Sequence, residues 1–285
     1  MTARNSLQDL DGLPYWLMDG LGNDFVIVDL RHGGRLTSEA AACLGDRSGP
    51  FGCDQIITLS DHGGDVQMGI WNADGSEVGA CGNATRCVGW LLAREQGTDA
   101  TTIGSPAGPL HARLVGAQRV SVDMGVPKLR WQQIPLAEQM DDTRFIDIKL
   151  GPIDRPVLWG PSAVNMGNPH CVFFVEDAEA QALDRFGPLI ENHPLFPERT
   201  NVSVAQVLNR TTIRLRTWER GVGMTKACGT AACAGLVSAV RRRLTDRTAT
   251  VRLDGGDLEI EWREADEHVI MTGDVRLSGQ GVFGD

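Results

Sequence analysis

At 285 residues, 42% hydrophobic and 22% charged, the chain has the composition of an ordinary soluble globular protein, with length for one large domain or two smaller ones. A formal net charge of -10 argues against a polyanion such as nucleic acid as partner, because phosphate binding needs a basic surface. Seven cysteines, an odd number spread along the chain, do not read as a secreted disulfide framework.

In chain order, the opening MTARNSLQDLDG lacks the apolar stretch of a leader, and no run reaches the length of a membrane span, so a cytoplasmic setting without a membrane partner is expected. Strands are predicted at 25–30 (FVIVDL), 55–59 (QIITL), 66–71 (VQMGIW) and 119–124 (RVSVDM). Further strands follow at 171–175, 202–207, 212–218, 250–253, 258–262 and 268–271. All are short and rich in β-branched residues, with Gly, Asp, Asn and Pro between them. Helices are predicted at 83–96 (NATRCVGWLLAREQ) and 230–243 (TAACAGLVSAVRRR), with shorter ones near 37–46 and 178–191. The two long helices carry Ala, Leu, Val and Cys on every face, the pattern of buried helices. Arg241, Arg242 and Arg243 read as decoration of a last helical turn, where cations suit the dipole. Runs of strands with one buried helix in each half predict an α+β fold.

The chain also repeats itself. Asn23 in GND (22–24) recurs as Asn168 in GNP (167–169), an offset of 168 − 23 = 145. Gln55 recurs as Asn201 (201 − 55 = 146), Trp71 as Trp218 and Cys81 as Cys228 (228 − 81 = 147). This ordered set reads as a tandem duplication of one α+β unit, the halves meeting near 128–145. Duplicated halves usually face each other across a cleft, which is a favoured ligand site.

In each half, Cys-Gly opens the buried helix: Cys81 before Gly82-Asn83, Cys228 before Gly229-Thr230. Free N–H groups and the dipole at a helix start stabilise a thiolate, and they also bind a carboxylate. Two such thiols facing one small molecule suit inversion of a C–H stereocentre. A thiolate removes the proton from one face and a thiol delivers one to the other. The two helix starts would stabilise the carbanion, and the scheme requires no cofactor. Cys43, Cys53, Cys87, Cys171 and Cys233 read instead as small core residues. No CxxC or HxxxH cluster supports a metal site, and Gly20-Leu21-Gly22 is not a dinucleotide fingerprint. Asn beside Gly is often only a turn residue, and Arg220 could equally pair with a surface carboxylate.

These motifs resemble the diaminopimelate epimerase family along almost the full chain: GLGNDF (20–25), DQ (54–55), NADGSE (72–77), ACGNATRC (80–87), MGNPHCV (166–172), ERTNV (198–202), ERG-x-G (219–223) and ACGTAAC (227–233). The resemblance implies cofactor-independent epimerisation of LL-diaminopimelate to meso-diaminopimelate in lysine synthesis, with Cys81 and Cys228 as the thiolate/thiol pair. It implies substrate contacts at Asn23, Gln55, Asn72, Gly82, Asn83, Asn168, Asn201, Glu219, Arg220, Gly229 and Thr230. His170 and Glu219 would support the cysteines or orient the substrate amine. The implied fold is two pseudo-symmetric halves, each a barrel-like mixed or antiparallel sheet around a central buried helix. The halves would be 1–130 plus 274–285, and 131–273, with the active site in the cleft between them. A homodimer is implied as well. The four asparagines fit a zwitterionic substrate, since amides both donate and accept. One departure stands out: Met224 occupies a position that is usually acidic, expected to make the surroundings of Cys228 less negative or to be mere surface drift. The rivals are a proline or hydroxyproline racemase type of the same superfamily, which needs no distal zwitterion site, and a non-catalytic amino-acid-binding relative.

Overall fold

The computed structural model describes residues 7–78, 82–105, 108–152 and 154–285. The chain divides into two compact units, one of residues up to Val122 together with Gly273–Asp285, the other Asp123–Thr272. Residues 123–130 go with the second unit because their backbone is tied there: Met124 N–H donates to Val269 O, and Lys128 and Asn165 exchange N–H···O bonds of 2.9 and 3.0 Å.

The first unit opens with β1 (Pro14–Asp19) and β2 (Asp24–Asp29). Next come α1 (Ser38–Gly45), β3 (Gln55–His62), β4 (Asp65–Asn72) and β5 (Glu77–Val78). Then follow α2 (Gly82–Gln96), β6 (Ala100–Ile103), β7 (Leu110–Gly116) and β8 (Arg119–Asp123). The C-terminal strand Arg276–Val282 pairs antiparallel with β1, heading a sheet that runs on through β2, β3, β4 and β5. Among the described residues of this sheet, β2 and β3 form the parallel pair and the other neighbouring strands pair antiparallel. Thr37 caps α1, its side chain accepting from Ala40 N at 3.1 Å, as expected of a Thr before a helix. Helix α2 is buried from Asn83 to Ala93 and packs on β6 and β7. A Cβ on Gly89 would come within 2.4 Å of Ala112 Cβ, so the glycine sets how closely helix and strand approach.

The second unit begins with the short pair β9 (Lys149–Leu150) and β10 (Leu158–Trp159). β11 (Ser162–Asn165), β12 (Pro169–Phe174), α3 (Leu183–Glu191), β13 (Asn201–Asn209), β14 (Thr212–Glu219) and β15 (Gly223–Thr225) follow. Helix α4 (Gly229–Arg241), β16 (Thr248–Leu253), β17 (Gly256–Trp262) and β18 (Val269–Asp274) complete it. The sheet order is β11-β12-β13-β14-β16-β17-β18, with β15 on the flank of β14. Helix α4 touches β11, β12, β13, β14, β16 and β17, so the sheet curls around a helix buried on every face. This is the all-round apolar pattern read from its sequence.

The internal repeat is visible in strand register. β2 and β3 pair in parallel with Phe25 opposite Gln55; β12 and β13 pair in parallel with His170 opposite Asn201. β3 then pairs antiparallel with β4, Ile56 opposite Trp71, as β13 pairs with β14, Val202 opposite Trp218.

One sequence expectation is corrected and one is extended. The helix predicted over 178–191 begins only at Leu183, because Asp177 Oδ1 accepts from the N–H groups of Glu179 and Ala180 in a local turn that competes with helix. The basic run does close α4 as expected, with Arg241 in its last turn and Arg242 at its C-cap, and it also ties the helix to its neighbours. The Arg242 guanidinium lies over the Phe145 and Phe174 rings at 3.9 and 4.8 Å and donates to the Arg144 and Gly160 carbonyls. Burial holds its pKa down to about 10. Arg241 donates to Thr143 Oγ1 at 3.1 Å.

Candidate active site

In the second unit, Cys228 is the N-cap of α4, its backbone extended (φ -130, ψ 111) and its carbonyl already accepting from Ala232 N at 3.0 Å. It is 7% exposed. The thiol donates to the Glu219 carboxylate, lies 3.5 Å from Thr230 Oγ1, and is reached by the Ala231 N–H. Glu219 also accepts from Thr225 Oγ1 at 2.5 Å. The sequence led us to expect a thiol acidified by its helix terminus. Instead its pKa is raised well above the ordinary value, first by burial and then by the Glu219 charge, against which Thr230 and the Ala231 N–H act in the opposite sense. Burial raises the Glu219 carboxyl too. At rest Cys228 is therefore a thiol, a proton donor.

Around this pair the remaining polar residues are coupled. Gly167, at φ 99, turns the β11–β12 connection, and His170 Nε2 lies 2.8 Å from Asn168 Oδ1. Since an amide oxygen only accepts, His170 donates there, which leaves Nδ1 as a bare acceptor with no partner among the described residues. Burial, and secondarily the Arg220 charge, pull the His170 pKa down to about 3 from the usual 6.5, so the ring is neutral. Asn201 bridges neighbours: its Nδ2 donates to Pro169 O at 3.1 Å and its Oδ1 accepts from Arg220 N at 3.0 Å. The Arg220 guanidinium donates to Glu198 O at 2.8 Å.

In the first unit, the turn Leu21-Gly22, both at positive φ, delivers Asn23 to the start of β2. Asn23 Nδ2 donates to Asp54 Oδ2 at 3.0 Å, and Asn23 Oδ1 accepts from Asn83 Nδ2 at 3.2 Å, which ties the start of α2 to this turn. Gln55 Nε2 donates to Asn72 Oδ1 at 3.2 Å across the β3–β4 pair. Gly79, Ala80 and Cys81 lie outside the described residues, as do Pro106, Ala107 and Ile153. Gly82 is half-buried at the first position of α2. Thus Asn23 and Asn83 meet, Gln55 and Asn72 meet, and Asn168, His170, Asn201, Glu219, Arg220, Cys228, Gly229 and Thr230 gather within the second unit. Cys53, Cys87, Cys171 and Cys233 are buried in the cores, and Cys43 is half-buried. Burial raises the thiol pKa of Cys171, and that of Cys53 to about 11, as befits inert thiols.

Sequence reasoning missed Thr225, which holds Glu219; it lies in the segment RGVGMT, where only Arg220 and Met224 drew notice. Asp54 was quoted within a motif without a role. Met224 is half-buried against Trp218 and the apolar core of its unit, so the surface-drift reading of it is corrected.

The fold belongs to a class shared with enzymes of amino-acid stereochemistry and their relatives. The chain matches a PhzF-family phenazine biosynthesis protein from Enterococcus faecalis (TM-score 0.64, 16% identity, 94% of this chain and 98% of that one). It also matches a hydroxyproline epimerase from Agrobacterium vitis (TM-score 0.62, 15% identity, 96% and 93%). At such identities only the fold is shared. The sequence narrows the class: the family model described as diaminopimelate epimerase matches residues 15–130 and 162–278. A diaminopimelate epimerase from Afipia carboxidovorans is 50% identical over 93% of both chains. The chain belongs to the diaminopimelate epimerase family.

Proposed function

We propose that the chain interconverts LL- and meso-diaminopimelate by two-base proton transfer between Cys81 and Cys228. Family membership supplies the reaction class and the substrate. The observation that carries the mechanism is the buried Cys228 thiol at the start of α4, hydrogen-bonded to Glu219 and kept protonated.

Cys81, as thiolate, removes the α-proton from one face. Cys228 gives its proton to the opposite face, and the roles exchange in the reverse direction. The carbanion is stabilised through the substrate's α-carboxylate by the N–H groups at the two helix starts, Gly82-Asn83 and Gly229-Thr230. Asn23, Gln55, Asn72, Asn168 and Asn201 supply amides, and Arg220 a cation, for the remaining ammonium and carboxylate groups. Once Cys228 has given up its proton, the adjoining Glu219 charge makes the new thiolate strongly basic, which primes it to accept a proton in the return reaction. Neutral His170, with a bare Nδ1, supports the amine-binding side as an acceptor. The chemistry asks for no cofactor. The meso product serves lysine and peptidoglycan-precursor synthesis, and the enzyme acts in the cytoplasm as a homodimer. No described helix is long and apolar enough to cross a membrane.

The test is deuterium wash-in at the α-carbon from heavy water, with diaminopimelate and with proline as substrates. Cys228→Ser and Cys81→Ser should each lower turnover by roughly 10²–10⁴-fold, the usual worth of a positioned acid or base, with the circular dichroism spectrum retained. Unchanged turnover in both variants would sink the mechanism. Label entering proline but never diaminopimelate would sink the substrate assignment.

A further inference from the structure

We propose that Glu191 is a positioning residue that fixes the turn carrying Glu219 and Arg220, a role that rests on the reading of those residues given above. Glu191 ends α3 and is 5% exposed. Its carboxylate accepts three hydrogen bonds: Trp218 Nε1 at 2.7 Å on Oε2, and Gly221 N at 2.9 Å and Arg199 Nη1 at 3.1 Å on Oε1. Trp218 and Gly221 stand on either side of Glu219-Arg220, so one carboxylate holds both flanks of the two site residues.

The local physics says this glutamate is not there for its helix. A carboxylate in the last turn of a helix meets the negative end of the dipole, and burying it adds a desolvation cost. Among the described residues three donors offset these penalties, and two of them belong to the strand and turn that present Glu219 and Arg220. The Arg220 N–H is already committed to Asn201 Oδ1. With Gly221 fixed by Glu191, the main chain is therefore held on both sides of the Arg220 Cα. That leaves the guanidinium a restricted cone in which to meet a substrate carboxylate.

Glu191→Gln keeps the shape but replaces one oxygen by an NH₂ group, so donors face a donor at one of the two flanks. If Glu191 acts through Arg220, the loss falls on substrate binding shared by ground and transition states. In α-hydrogen exchange with diaminopimelate, KM should rise roughly tenfold, the worth of one charge-assisted bond, while kcat falls by less than about threefold. In an Arg220→Met background the same substitution should leave KM within about twofold, because coupled residues are non-additive. Arg199→Met, which spares the Trp218 and Gly221 bonds, should raise KM only about twofold and serves if Glu191→Gln folds poorly. An unchanged KM, or the same rise with and without Arg220, would overturn the assignment. A lowered melting temperature with unaltered KM would also overturn it, reducing Glu191 to a structural residue. If the unaltered chain exchanges no α-hydrogen of diaminopimelate, the two-thiol reading fails separately. Glu191 is then judged by hydrogen exchange of the Gly221 amide: faster exchange in Glu191→Gln sustains the clamp, and equal exchange overturns it.

Discussion

The two copies of the repeated unit solve one problem in two ways. In both, a helix packs against the turn that follows the tryptophan strand. In the first unit the contact is bare: Gly45 ends α1, and a Cβ there would lie 2.5 Å from Ala73 Cα and 2.7 Å from its Cβ. In the second, the position at the same repeat offset (191 − 45 = 146) is Glu191, whose carboxylate reaches the turn through hydrogen bonds. A second pair differs in the same direction. Phe25 and His170 occupy matching register positions, both essentially unexposed, one wholly apolar and the other a neutral imidazole with a bare nitrogen. At these two matched positions the second unit carries a buried polar side chain where the first carries glycine or phenylalanine. Such groups are costly unless they are satisfied or used.

The largest expected effect comes from making the second copy resemble the first, by His170→Phe. The folded pKa of His170 lies near 3 and the unfolded value near 6.5, so the unfolded chain binds the proton first as pH falls. Stability due to this group is complete above pH 6.5, declines by up to ~1.4 kcal/mol per pH unit down to about pH 3, and changes no further below. His170→Phe removes that dependence. Subtracting its denaturant-derived stability from that of the unaltered chain, at points between pH 6 and pH 4, cancels the carboxylates common to both. A flat difference across that window would mean that the imidazole titrates normally and is not the buried neutral group described.

How much of this was legible beforehand depends on range. Most strands with β-branched runs were, though not β6 (ATTI), and so were the two helices apolar all round, since those signals are local. β1 (PYWLMD) and the strand Arg276–Val282 (RLSGQGV) were not placed by pattern. The first starts on a proline, and the second alternates polar residues with glycine and owes its strand state to pairing with β1. Asn23, Gln55 and Cys81, with their counterparts Asn168, Asn201 and Cys228, could be proposed as site residues because they recur at a nearly constant offset. Glu191 could not, because its counterpart is a glycine and the two partners that matter to the turn, Trp218 and Gly221, lie 27 and 30 positions away. The direction of the Cys228 shift was misjudged for a related reason. Sequence displays the helix start that would acidify the thiol but hides the burial, and the contact with Glu219 nine residues earlier, that prevail over it.

The contrast between a bare and a bonded contact predicts unequal tolerance of added volume. Gly45→Ala drives a methyl group into the Ala73 backbone, which cannot swing aside as a side chain would. The expected loss is about 2–3 kcal/mol, read as a lower denaturation midpoint at unchanged slope. A cost below ~0.5 kcal/mol would show that the α1 contact is looser than the helix-to-turn distance implies.

The smallest effect concerns Met224, at the position where the resemblance led to the expectation of an acidic residue. Side chains along a strand alternate faces, and Thr225, the next residue in β15, points its hydroxyl at Glu219. Met224 therefore faces the other way, onto Trp218 and the apolar core of the second unit. A carboxylate introduced by Met224→Glu meets that core and not Cys228. It should cost about 1 kcal/mol in lost apolar burial, while the Cys228 thiolate titration, followed by ultraviolet absorbance in a Cys81→Ser background, stays where it was. Thr225→Val, on the site-facing side, is the matched control. It strips Glu219 of a hydrogen bond that favours its charged form, and so should move the Cys228 titration. If Met224→Glu moved that titration by more than about half a pH unit and Thr225→Val left it still, the face assignment in β15 would be inverted. Met224 would then be a tuning residue for the thiol.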